Sequence, residues 1–143
     1  MDHIDSIIIT INNIESADNE TDLRQLDQAL QELFQSEHPE RGMDALFRVF
    51  ERFPQSDGYG VFWGVLHGLE GLSNYEPRLI ESVRRQPMEF NLTMINRLLN
   101  DGTSQVNETD LLALLEEVAA NPNYSEAARE QARDYAEWQR SRR

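Results

Sequence analysis

The sequence predicts an all-α chain: an irregular HEAT-like stack of antiparallel helical hairpins, about seven or eight helices in all. Three observations lead there. Apolar residues recur at helical spacing in most segments. A Leu–apolar–x–x–Phe/Val–x–x–x–Pro pattern occurs three times, its prolines 33 and 35 residues apart. Stops such as Gly71 to Asn74 and Asn100-Asp101-Gly102 fall between the periodic segments. A period near 34 residues is typical of helical-hairpin repeats.

The N-terminal part, 1–39, reads as two helices. Ile4, Ile7, Ile8 and Ile11 share one helical face at i, i+3, i+4, i+7. The run is β-branched, so a short strand over 7–11 stays open beside the helix. Asn19 to Asp22 is a polar break. Leu23, Leu26, Leu30, Leu33 and Phe34 then mark a clearer amphipathic helix, ended by His38-Pro39, because proline pushes the residue before it out of helical geometry.

The repeats follow as hairpins at 40–72, 75–102 and 107–140. Their first helices carry Leu46, Phe47, Phe50 before Pro54; Leu79, Ile80, Val83 before Pro87; and Leu114, Leu115, Val118 before Pro122. Their second helices match less evenly. Val61, Phe62, Val65 and Leu66 sit at the same offsets from Pro54 as Met94, Ile95, Leu98 and Leu99 from Pro87. The third copy, with Tyr124, Ala128, Ala132, Tyr135 and Trp138, is shifted by a residue or more. Gly71 to Asn74 and Asn100-Asp101-Gly102 supply helix stops. Asn107 with Asp110, and Ser125, supply helix starts. The last helix is polar, as a capping unit should be, and the tail Arg140-Ser141-Arg142-Arg143 is read as frayed. A hairpin of this kind cannot hide its apolar face alone, so 1–143 is expected to stack into a single domain. The tetratricopeptide pattern has a similar period, but Leu, Phe and Val replace the small residues its packing needs.

Charge narrows the function classes. Twenty-six acids face 13 bases, all arginine, for a net charge of −13. That opposes binding to nucleic-acid phosphates. It favours a basic partner and steers one in at long range, or it serves solubility alone. No cysteine is present, which rules out disulfides and thiolate metal sites and fits a cytoplasmic location. No secretory leader is read at the N-terminus, where Asp2 and Asp5 precede a short apolar run. No stretch approaches membrane-spanning length, so no membrane partner is expected.

Motifs for chemistry are sparse. The three histidines, His3, His38 and His67, have no paired spacing for a metal, and no loop has a calcium-binding layout. Gly58, Gly60 and Gly64 approach a dinucleotide fingerprint but lack the preceding strand and the parallel sheet; a tight turn and close helix packing explain them. The four Asn-x-Ser/Thr sequons, at Asn19, Asn91, Asn107 and Asn123, are chance matches in a polar chain. No serine stands in a nucleophile elbow. The expectation is no enzyme, no cofactor and no metal.

One constellation fits a binding site. Trp63, His67 and Glu70, at spacings of four and three, share a face of a helix read over 57–72. Trp63 edges the apolar stripe of that helix. It fits a semi-buried core position, and it also fits a contact residue, since tryptophan is enriched in binding hot spots. Repeat alignment sets Asn96 and Asn100 beside Trp63 and His67 on the next second helix, and Tyr59 and Tyr75 flank the same hairpin. Tyr59, Trp63, His67, Glu70, Tyr75, Asn96 and Asn100 are therefore the candidate partner-binding residues.

The stretch from Ala45 to Gly102 contains Leu46-Phe47-Arg48-Val49-Phe50-Glu51-Arg52-Phe53-Pro54, Val61-Phe62-Trp63, Leu66-His67-Gly68-Leu69-Glu70, Tyr75-Glu76-Pro77, Glu81-Ser82-Val83-Arg84-Arg85-Gln86-Pro87 and Asn96-Arg97-Leu98-Leu99-Asn100. It resembles small all-helical immunity proteins of bacterial toxin–immunity systems, including contact-dependent growth inhibition. The resemblance implies a stoichiometric inhibitor that binds the toxin domain of a cognate effector. Many such toxins are nucleases with basic clefts, which an acidic protein can occupy or approach from a neighbouring surface. The alternative is a helical-repeat scaffold or regulatory adaptor that binds a basic protein or peptide in the same cell.

Overall fold

The computed structural model describes residues 2–142; Arg143 of the basic tail lies outside them. Among the described residues there are eight α-helices: α1 (His3–Asn12), α2 (Glu20–Phe34), α3 (Met43–Arg52), α4 (Val61–Glu70), α5 (Glu76–Arg85), α6 (Glu89–Asn100), α7 (Leu111–Ala120) and α8 (Glu126–Ser141). The isoleucine run over 7–11 is thus helix and not strand. Ile7 and Ile11 are buried and Ile9 is exposed.

Successive helices pair as hairpins, and the hairpins stack in two rows. First helices α1, α3 and α5 lie side by side, and so do second helices α2, α4, α6 and α8. The N-terminal pair is itself a hairpin, so the stack has four units. The last unit departs from the pattern: α7 makes its main contacts with α8 and α6 and not with α5.

The prolines of the repeat explain the hairpins. Phe53, Gln86 and Asn121 each follow a first helix and precede Pro54, Pro87 and Pro122, and their ψ values are 60°, 88° and 111°. The proline ring excludes helical geometry at the preceding residue, so each first helix stops at the same point of its repeat. His38 before Pro39 is likewise non-helical. Here, however, α2 has already ended at Phe34, where the Ser36 hydroxyl donates to the Leu33 carbonyl at 2.6 Å. Pro39 instead opens a 3-10 turn that leads into α3.

Starts are capped where short polar residues stand. Asn19 Oδ1 accepts from the amides of Thr21 and Asp22, so Asn19 to Asp22 opens α2 instead of breaking the chain. Asp110 caps α7 and Ser125 caps α8. Such caps each contribute about 0.5–2 kcal/mol. Asn107 does not start a helix. It has φ 53° in the turn of a two-stranded ribbon, Gln105–Val106 with Thr109–Asp110, just before α7.

The centre of the stack is aromatic. Phe50, Phe62 and Phe90, from α3, α4 and α6, have no exposed surface and lie with ring centroids 5.4–5.7 Å apart. Polar cross-links tie the first helices together. The Arg52 guanidinium donates to the carbonyls of Ile11 and Asn12 at the C-terminal end of α1 and of Ile14 just beyond it. Glu51 accepts two bonds from Arg85 and one from the Ser82 hydroxyl. Buried Asn91 joins Ser82, the Gln86 carbonyl and the Met88 amide. In the last unit Ala128, Ala132 and Ala136 face inward while Trp138 is 54 % exposed. The third repeat therefore buries a different set of residues from α4 and α6, and its alanines let α8 lie close against α7.

Candidate partner-binding surface

The structure divides the seven candidate residues into an exposed group and a group engaged inside the stack. Trp63 and His67 are exposed on α4, with ring centroids 6.0 Å apart. The buried side of Trp63 rests edge-on against Phe90, with ring centroids 5.3 Å apart. One edge of this tryptophan is packed on the core, as a semi-buried position requires, and 43 % of the residue is open.

Glu70 accepts two bonds from Arg97 of α6, at 2.8 and 2.9 Å, and lies 3.9 Å from His67 Nδ1. Its carboxylate holds the Arg97 guanidinium above its ordinary pKa. This pair fastens α4 to α6. Asn96 and Asn100 do the same between α6 and α8: both accept from Gln139 Nε2, at 2.7 and 2.8 Å, and Asn100 also accepts from Arg142. These asparagines serve as inter-helix joints, Asn96 half-buried and Asn100 exposed at the end of α6.

Tyr75 departs furthest from its expected role. It precedes α5 and is only 8 % exposed. Burial first, then the carboxylates of Glu70, Glu76 and Asp101, push its phenol up to about 12, against the opposing charge of Arg97. It is a core residue at the α4–α5 turn.

Among the described residues Tyr59 is the most exposed large apolar or aromatic side chain, at 74 %. The helix read over 57–72 in fact begins at Val61, and Gly58, Tyr59 and Gly60 form a separate turn before it. All three have positive φ, at 60°, 48° and 91°. For tyrosine that backbone is strained by roughly 1–2 kcal/mol. The turn is held by Asp57, which accepts from the Tyr59 amide, and by Ser56, which accepts from the Gly58 amide. Buried Phe62 fills the space beneath Gly58 that a side chain there would need. The aromatic ring is presented at the surface as a result.

Beside Tyr59 lies a groove of about 560 Å³, lined by Asp18, Glu20, Leu23, Arg24, Asp27, Tyr59, Gly60 and Val61. Of these only Tyr59 is a partner-binding candidate from the sequence. The acids were legible in principle, because 13–40 hold eight carboxylates and a single arginine, Arg24. Arg24 pairs with Glu20 at 2.7 Å, and His38 lies 3.2 Å from Glu40. Among the described residues Glu15, Asp18, Asp22, Asp27, Glu32 and Glu37 have no ion-pair partner. Three of these six, Asp22, Asp27 and Glu32, stand on α2, which adjoins α4 with its Trp63 and His67.

Among the described residues no group of three His, Cys, Asp or Glu side chains is placed to hold a metal ion, and no helix is long and apolar enough to cross a membrane. No protein-family model, curated protein or solved structure matches the chain.

Proposed function

We propose that this chain is an immunity protein: it binds a cognate bacterial toxin domain in equal amount and neutralises it. The observation that carries this reading is the groove in which Asp18 and Asp27, carboxylates without ion-pair partners among the described residues, lie beside exposed Tyr59, next to the helix that carries exposed Trp63. Unneutralised carboxylates raise the local potential and attract a basic surface. Aromatic rings half-set into a rigid scaffold anchor it at little entropic cost. The resemblance of 45–102 to bacterial immunity proteins selects the kind of partner, and a nuclease with a basic cleft is the complementary target. The helices supply the rigid support, with α4 fixed to α6 through Glu70–Arg97 and α6 fixed to α8 through Gln139.

The test is capture of the partner from the source cells, followed by expression of the captured polypeptide with and without this chain. The expected result is a basic domain recovered in equal amount, which arrests growth alone and is tolerated when co-expressed. A captured partner that does not arrest growth moves the chain to the adaptor class, with a basic protein or peptide of the same cell as its ligand.

A further inference from the structure

We infer that the groove between α2 and the Gly58–Tyr59–Gly60 turn is an arginine subsite, which receives one arginine side chain projecting from the basic partner. The inference rests on the reading that the partner is basic, and it names what that partner inserts. The floor of the groove is apolar, from Leu23 and Val61, and its rim carries Asp18, Glu20 and Asp27 against the single Arg24. Glu20 already holds Arg24. Asp18 and Asp27 have only neutral partners, the Ser56 hydroxyl at 3.4 Å and the Gln31 amide at 3.2 Å. Two carboxylates thus remain to receive a cation.

Tyr59 decides which cation. An arginine side chain lays its methylene stem on apolar surface, stacks its planar guanidinium on an aromatic face and donates to carboxylates at its edge. The groove supplies a surface for each of those three parts. A lysine ammonium is a compact, strongly hydrated charge and uses the carboxylates but gains less from the ring. The strained turn explains why the tyrosine stays in place: its backbone is tied by Asp57 and Ser56, and Phe62 is wedged beneath it.

The experiment titrates the full chain with N-acetyl-arginine amide, and separately with the lysine and citrulline analogues, while backbone amide resonances are followed by NMR. Citrulline has the shape of arginine without its charge. The expected result is a saturable shift confined to 18–27 and 58–61, with arginine strongest, lysine weaker and citrulline without effect. Tyr59→Asn keeps a residue that tolerates left-handed backbone and should weaken arginine binding about fivefold, the size of one cation–π contact. Shifts spread equally over distant acidic segments such as 116–117 and 134–137 would overturn the subsite, as would equal binding of lysine or no shift at all. No toxin is needed. A chain that binds arginine here but neutralises no toxin leaves the groove standing, and a chain that neutralises a toxin without these shifts removes the groove alone.

Discussion

Residues 1–40 carry ten carboxylates against one arginine, and residues 41–143 carry sixteen against twelve. The second region uses most of its arginines to join helices. Arg78 meets Asp44, Arg85 meets Glu51, Arg97 meets Glu70 and Arg140 meets Glu116. Arg41 and Arg52 reach back to hold α1, through Asp2 and Asp5 and through its open carbonyls. Among the described residues the α2 segment has no ion pair to another helix, and Glu20, Asp27 and Glu32 face solvent. Charge is structural in one region and left available in the other, on a scaffold where the first region still buries Ile11, Leu26 and Leu33 completely. Substitutions in the two regions should therefore differ in kind: loss of stability in one, loss of binding in the other.

The largest expected effect is at the aromatic centre. Phe50→Ala removes a fully buried ring that touches both Phe62 and Phe90, and should lower the unfolding free energy by about 3–5 kcal/mol, measured by urea denaturation. Arg52→Ala should lower it by about 1–2 kcal/mol, because three bonds from a charged donor are lost but solvent reaches part of the site. Amides of α1 should then exchange faster than those of α5, which sharpens the view that 41–143 holds the N-terminal hairpin in place.

Tyr75 gives an effect tied to pH. Its phenol is shifted upward in the folded chain, so folding favours the neutral form. The associated stability is complete below pH 10 and is lost as pH rises through the folded value of about 12. A near-ultraviolet absorbance titration should show one phenol ionising near 12, and Tyr75→Phe should remove that step. The smallest effect is expected on α2. Asp27→Asn with Glu32→Gln should change stability by no more than about 0.5 kcal/mol, and the sign should be stabilising, since like charges repel along that face. A loss of several kcal/mol there would break the contrast between the two regions.

How much of this was legible in the sequence depended on the range of the interaction. The hairpins were legible because proline acts on the adjacent residue, so Pro54, Pro87 and Pro122 mark the same joint three times. The cap at Ser125 was legible because its partner lies three residues away, whereas the cap of α7 was expected at Asn107 and lies at Asp110. The joint made by Asn96 and Asn100 was not legible because their donor, Gln139, is about forty residues distant and on a helix whose register had slipped. Trp138 was misplaced for the same slip. Tyr75 followed from counting aromatic residues near a hairpin, which says nothing of burial. Tyr59 was found, but its groove was not, because Asp18, Glu20 and Asp27 come from another hairpin and only the uneven distribution of acid along the chain hinted at them.

The central claim is that the unmatched carboxylates of the α2 region, and not net charge as such, recruit the partner. The direct measurement compares two variants with equal net charge. One carries Glu15→Gln, Asp18→Asn, Asp27→Asn and Glu32→Gln; the other carries Glu81→Gln, Glu116→Gln, Glu117→Gln and Glu137→Gln. Association rates with the captured partner are followed from low to high salt. The account predicts that the first variant binds at least about tenfold more slowly at low salt, with a flattened salt dependence, while the second stays close to the unsubstituted chain. Equal slowing of both variants would contradict it and leave the acidity of the whole molecule as the only electrostatic signal.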